Sequence, residues 1–311
     1  MPIADLRALI ERHAGRPDLP LDGVQLSNVR EPTAPHASVA EPIFVLVAQG
    51  AKRLSLGDRS GDRSYEYGAG QYLVVSVDLP VSGTFAAPSP ERPFLAFGLR
   101  LRPAAIAALL LEAAADERSP GAAARDPRPD PAGIAVSDAD EDLLDAVVRL
   151  LRLLDRPADL PVLAPLVGKE ILWRLATGAQ GPIVRQIGLA DSSLSLIGRS
   201  IRWIREHYAE SLRIEDLARL SSMSVSSFHR HFRAVTALTP IQFQKHIRLQ
   251  EARTRLLGQD STVAEVGLAV GYDSASQFTR EYRRYFGLPP GQDTVRLRES
   301  AYRATLTSPT I

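Results

Sequence analysis

The side chains best suited to chemistry in this 311-residue chain fall in two short stretches toward its C-terminal end. In "MSVSSFHRHFR" (223–233), Ser226, His229 and Arg230 stand around Phe228 and Phe232, with Arg233 just beyond. In "SASQFTREYRR" (274–284), Ser276, Gln277, Thr279, Arg280, Arg283 and Arg284 stand around Phe278 and Tyr282. These groups are donors, acceptors and cations rather than a nucleophile with its base. An arginine fork can bond guanine O6 and N7 together, and hydroxyl or amide side chains bond other base edges. Arginines set to one side grip phosphates. The outward groups Ser226, His229, Arg230, Ser276, Gln277, Thr279 and Arg280 can therefore read base edges or grip phosphates, and Arg230 and Arg280 are expected to be the strongest readers. Arg233, Arg283 and Arg284 are expected as phosphate contacts.

Such side chains need helices to present them. Aromatic residues four apart mark the buried stripe of each helix and leave the polar groups outward. The two stretches are copies. Phe228, Arg230, Phe232 and Arg233 recur fifty positions later as Phe278, Arg280, Tyr282 and Arg283. Ile214, Leu217 and Ala218 recur forty-nine positions later as Val263, Val266 and Gly267, so the second copy has one extra residue in its turn, "VGYDS". Each copy reads as helix, turn, helix, with Ser224 or Ser274 capping the second helix. Thr262 with Glu265, and Ser274 with Gln277, have capping-box spacing. The small residues Ala218 and Gly267 let the paired helices cross closely. Between the copies, "TPIQFQKHIRLQEARTRLL" begins with Thr239 as cap and Pro240 at the first position. Its roughly 17 helical residues span about 26 Å, on the scale of the ~34 Å turn of B-DNA. One such helix would fit an ordinary solvated face; two on a rigid spacer point to double-stranded DNA.

Charge agrees. Residues 197–298 hold 16 Lys and Arg against 10 Asp and Glu, leaving 21 against 26 elsewhere, although the whole chain is only +1. A basic segment beside an acidic one suits a polyanionic partner. There is no cysteine, which excludes disulfides, thiolate metal sites and a cysteine nucleophile. No apolar run reaches transmembrane length, and the N-terminal "MPIADLRALIERHAG" is amphipathic rather than a signal peptide, so a cytoplasmic protein without membrane contact is expected.

Residues 24–101 read as short strands, with turns at Gly50 and Gly57-Asp58 and further breaks at Gly68, Gly70, Pro80 and Pro93, a pattern of barrels and sandwiches. From Pro103 the period becomes helical. Residues 118–133 read as an exposed loop, and 140–154 and 162–176 as strongly apolar helices. Their excess of apolar positions suits either a homodimer contact or a second layer of the same domain. The stretch 178–193 reads as a linker, partly helical at most.

The pattern "A-x9-F-x-R-x-F" from Ala218, the "R-x3-A-x3-LL" of Arg248 to Leu257 and "GYDSASQFTREYRRYFGLPP" together resemble the DNA-binding domain of AraC/XylS bacterial transcription regulators. Two departures stand out. Gly267 replaces a usual alanine, and "GLPPGQDTVRLR" lacks the usual Pro-x-x-Tyr-Arg, which leaves open how the last helix closes. The stretches "PIFVLVAQGAKRLSLGD", "YEYGAGQYLVVSVDLPVSG" and "ERPFLAFGLRL" are similar to the cupin-like domain of one AraC-type subgroup. The resemblance implies a multidomain α and β protein. Residues 1–177 would be a cupin-like β-barrel with flanking helices that senses and dimerises, and 178–193 a linker. Residues 194–298 would be an all-α domain with two helix-turn-helix units, and 299–311 a tail. It implies Ser226, His229 and Arg230, and in the second unit Ser276, Gln277, Thr279 and Arg280, as the positions that reach bases, and RNA polymerase as a partner; no cofactor is expected. An enzyme reading fails, because only His13 and His36 precede residue 200 and neither is paired on a strand for a metal, and no G-x-S-x-G occurs. For an anionic organic effector, Arg100, Lys52 and Arg30 are the available cations. Arg100 shares a strand face with Ala96 and Gly98, where small residues, with Ser76, would leave room for a pocket. Solvated rim charges explain the same residues. Control by effector, or by abundance or a protein partner, both stay open.

Overall fold

The structure is a computed structural model that describes residues 2–16, 18–32, 36–56, 63–116, 133–258 and 261–306. The chain opens with α1 (Pro2–His13), followed by β1 (Val24–Val29), β2 (His36–Ala40), β3 (Ile43–Gln49) and β4 (Ala51–Leu56). Then come β5 (Arg63–Gly68), β6 (Gln71–Val75), β7 (Leu79–Phe85) and β8 (Phe94–Arg100). After α2 (Pro103–Asp116) the chain returns as β9 (Ile134–Asp138). The strands form two antiparallel sheets, ordered β1-β8-β3-β6-β9 and β2-β7-β4-β5. The expected strand domain is thus two sheets face to face. In the central β8, Phe94 to Leu99 are all buried, because the sheet is covered on both faces. Gly50 takes a positive φ of 79° at the β3–β4 turn, where a side chain would also press on Phe94.

Helices α3 (Glu141–Arg152), α4 (Leu160–Thr177) and α5 (Gly181–Gly188) complete this part. Asp140 caps α3 by accepting from Leu143 N at 2.7 Å. Leu143, Val147, Val148, Leu150, Leu151, Leu153 and Leu154 are buried within the chain itself. A second layer of the same domain therefore accounts for the apolar excess of that helix. By contrast α4 leaves Val162, Leu166 and Trp173 exposed, beside Leu111 of α2. Within 178–193 lies α5, whose Val184 and Ile187 are buried and whose Gly188 abuts Ile106 of α2.

The remaining helices are α6 (Ser193–Glu206), α7 (Ile214–Leu220), α8 (Val225–Thr236), α9 (Pro240–Gly258), α10 (Val263–Ala269), α11 (Ala275–Phe286) and α12 (Pro290–Leu306). The α12 helix runs across the boundary drawn at 298. Helices α7–α8 and α10–α11 are the two copies, joined by α9. At 19 residues, α9 is about 28 Å long. The first unit shares its apolar cluster with the strand domain through Phe228, Phe232, Val235, Phe243 and Ile247. The second has its own cluster of Leu249, Ala252, Leu256, Val266, Phe278 and Tyr282. Among the described residues no helix is long and apolar enough to cross a membrane, and no three His, Cys, Asp or Glu group to hold a metal.

Candidate nucleic-acid interface

Both turns follow one plan. Met223 N donates to Ala218 O at 2.9 Å, and Tyr272 N donates to Gly267 O at 3.0 Å, forty-nine residues later in each case. The caps are fifty apart, so Asp273 is the inserted residue. Ser224 Oγ accepts from Ser227 N at 3.3 Å, and Ser274 Oγ from Gln277 N at 3.4 Å. The left-handed turn position is Ser222 (φ 52°) in the first unit and Gly271 (φ 92°) in the second. A Cβ on Gly267 would lie 2.9 Å from Phe278 Cδ1, so the missing methyl lets the aromatic ring settle onto α10.

Phe228 and Phe232 are fully buried in α8, as are Phe278 and Tyr282 in α11. This turns Ser226, His229, Arg230 and Arg233 to the exposed face of α8. On α11, Ser276, Arg280, Arg283 and Arg284 are exposed and Thr279 is half-buried beside them. With Pro289 they line one open concavity of about 800 Å³. The first interface is equally accessible, because the strand domain meets α8 at its far end. There Arg63 donates to Ala234 O at 3.1 Å, and Gly133 sits against Val235 O.

Gln277 is the exception. Its Nε2 donates to Glu281 Oε1 at 3.3 Å, so its side chain turns from the concavity toward α9, and only the Ser274 half of the expected capping box forms. The matching residue in the first copy is Ser227, equally half-buried and bonded to His231. By contrast, the box at Thr262 and Glu265 is complete.

The sequence reading passed over the groups that hold α11 in place. Glu281 accepts from Lys245 Nζ at 2.9 Å and from Tyr272 Oη at 3.0 Å. Burial pushes its carboxyl up, but the bonds from Lys245, Gln277 and Tyr272 outweigh that and hold it below the ordinary glutamate value. The last helix is closed by Asp293, which has no exposed surface. It accepts from Arg253 Nε at 2.9 Å, Tyr282 Oη at 3.0 Å and Arg296 at 2.7 Å. The Arg253 guanidinium also lies over the Phe286 ring, 4.4 Å from its centroid. An aspartate in the first turn of α12 is visible in the sequence; its partners forty residues back are not.

The cations named for an effector separate. Arg100 is exposed and pairs with Glu41 at 3.1 Å. The room expected beneath it is absent, because the space over Gly98 is taken by Ile43, 3.2 Å from where a Cβ would stand. Ser76 is buried and donates to Gly133 O at 3.1 Å, so it lines no pocket either. Arg30 is exposed, and its Nε lies 3.5 Å from Asn28 Oδ1. Lys52 differs, since it shares the inward face of β4 with buried Leu54 and Leu56. Its stem fills the space over Gly83, and its ammonium lies 4.9 Å from the Phe85 ring centroid. Burial lowers its pKa.

Comparison with known proteins follows this division. The AraC-type transcriptional regulator N-terminus family matches residues 20–183, and a helix-turn-helix domain family matches 217–294. The MmsAB operon regulatory protein of Pseudomonas aeruginosa is 36% identical over 120 residues, 39% of this chain and 38% of that protein. The transcriptional activator RhaS of Salmonella schwarzengrund is 26% identical over 163 residues, 50% of this chain and 57% of that protein. The chain thus spans about two fifths to three fifths of these relatives. The fold is similar to that of ToxT from Vibrio cholerae. The apo form of a single-substitution variant of ToxT gives a TM-score of 0.54 at 10% identity, covering 88% of this chain and 96% of that one. An unsaturated-fatty-acid-bound wild-type form gives 0.52 at 9%, covering 87% and 94%.

Proposed function

The chain belongs to the AraC-type transcriptional regulators, and from that premise we propose that it binds double-stranded DNA in a sequence-specific way through α8 and α11 in successive major grooves. One observation carries this reading. Two copies of the same helix-turn-helix, joined by a single largely buried helix, turn equivalent arginines outward, Arg230 and Arg280. Ser226, His229, Ser276 and Thr279 flank them as further base contacts; Gln277 takes a supporting role. Selection from a randomised DNA library tests the reading. Arg230→Ala and Arg280→Ala should each relax one position of the motif and cost about 1–3 kcal/mol on the selected site. Arg233, Arg283 and Arg284 should instead weaken all sequences alike and flatten the salt dependence. A motif unchanged by Arg230→Ala and Arg280→Ala would contradict the assignment.

The reading includes effector control by an organic anion at Lys52, a half-buried cation without an anionic partner among the described residues. The fatty-acid-bound ToxT structure has a carboxylate ligand on a similar fold, and a carboxylate is a group that an ammonium binds by charge-assisted hydrogen bonding. Fatty acids should raise the melting temperature of the full chain and lose that effect in Lys52→Met. No shift in either protein would favour control by abundance or by a protein partner. We place a homodimer contact on the exposed α4 face of Val162, Leu166 and Trp173. Sedimentation as a monomer at micromolar concentration, with and without DNA, would remove it. RNA polymerase is the partner expected of such a regulator in the cytoplasm.

A further inference from the structure

One side chain of α9 ties the second recognition unit to the turn between α6 and α7 that leads into the first. The turn that follows α6 presents the carbonyls of Tyr208, Ala209 and Glu210 to α9. Arg248 donates to them. Its Nε donates to Tyr208 O at 2.7 Å, and its Nη2 donates to Glu210 O at 2.9 Å and Ala209 O at 3.4 Å. The other amine of the same guanidinium, Nη1, donates to Gly271 O at 2.6 Å in the turn of the second unit. Its carbon also lies 6.0 Å from the centroid of the Tyr272 ring.

At this point the second unit meets the turn that joins α6 to the first unit. A Cβ on Gly271 would stand 2.4 Å from Ala209 O and 2.9 Å from Arg248 Cζ. The turn closes on the end of α6 only because residue 271 has no side chain. Along α9, Phe243 and Ile247 belong to the first apolar cluster, and Leu249, Ala252 and Leu256 to the second. Arg248 stands at the changeover. Gln244, one turn earlier, donates to Tyr208 O at 3.1 Å and Glu210 O at 2.8 Å, and none of its hydrogen bonds goes to the second unit.

We propose that Arg248 is the positioning residue that sets α11 relative to α8, and so selects the spacing between the two half-sites that the protein accepts. The inference rests on both helices binding DNA. Adding one base pair moves a half-site by about 3.4 Å and rotates it by roughly 34° around the duplex. A junction held by a planar fork of donors resists that displacement. Lysine offers a point charge with three donors on a flexible stem and lacks the rigid planar fork that fixes the two sides relative to each other.

The test uses the full chain and the DNA site it selects from a randomised library, then the same site with one base pair inserted or removed between the half-sites. The wild-type chain should bind the altered sites at least about tenfold more weakly, the scale of a single lost base contact. In Arg248→Lys and Arg248→Gln this ratio should fall below about threefold. Gln244→Leu loosens the same end of α6 and should keep the full ratio. The proposal is overturned if both Arg248 variants keep the wild-type ratio, if Gln244→Leu loses it equally, or if the wild-type chain shows no spacing preference. Failure of the wild-type chain to select any site would count against DNA binding itself.

Discussion

Replacing Asp293 with alanine tests the account of how the second unit is closed. Most ion pairs of this chain are exposed; Arg53 and Glu66, for instance, have side chains 61% and 62% exposed. Such pairs contribute about 0–1 kcal/mol. Asp293 and Arg253 are 0% and 10% exposed, and the carboxylate also accepts from Tyr282 and Arg296. Deleting one member of a buried pair leaves the other charge desolvated and unmatched, at a cost of about 3–5 kcal/mol. Arg253 has only 10% of its side chain exposed and is held against the Phe286 ring. Replacing both, as Arg253→Met with Asp293→Leu, removes the stranded charge and should cost far less than Asp293→Ala alone. The assay is urea denaturation of the two variants and of Glu66→Ala, with equal slopes required for comparison. Because the second unit has its own apolar cluster, its loss should be partly separate, and a DNA footprint of Asp293→Ala should lose the α11 half-site before the α8 half-site. An Asp293→Ala cost below about 1 kcal/mol, or a double variant as damaged as the single, would refute the reasoning.

The turn residues give an opposed pair. Ser222→Gly should stabilise by about 0.5–1 kcal/mol, the left-handed strain relieved less the added chain entropy, whereas Gly271→Ala should destabilise by about 2–4 kcal/mol by adding strain and a contact with Ala209 O. Thermal melting of both reads the signs. Gly267→Ala gains about 1 kcal/mol of helix propensity but drives a methyl into Phe278, which is fully buried between Tyr272 and Tyr282; the ~1–3 kcal/mol of overpacking should win, visible as a lower urea midpoint. Glu281 supplies a pH dependence. Its carboxyl is depressed in the fold, so its stabilisation is complete above the unfolded value near 4.5 and is lost as pH falls through the lower folded value. Glu281→Gln should flatten the acid side of the stability–pH curve; an unchanged curve would remove that role.

What was legible in the sequence is what local physics decides. The aromatic pairs Phe228/Phe232 and Phe278/Tyr282, the caps Ser224, Ser274 and Thr262, and the offset of the two copies follow from helical period and backbone capping within a few residues. They yielded both helix-turn-helix units and the outward set of Arg230 and Arg280, while short apolar runs broken by glycine and proline gave the strand character of 24–101. Part of the rest was within reach. Alternation along β4 puts Lys52 with Leu54 and Leu56, and the copy offset matches Gln277 to Ser227, which no one would choose as a base reader. Other features required the tertiary structure. Whether Arg100 stood over a pocket depended on Ile43 from a neighbouring strand filling the space at Gly98. The apolar excess of α3 was settled by a second layer packing on it, and the stretch 178–193 by α5 burying Val184 and Ile187. Arg253 finds Asp293, and Arg248 finds Gly271, across 40 and 23 residues. Local propensity fixes which way a side chain leaves its own helix, but a buried charge selects its partner only after distant helices have packed and water has been removed from between them.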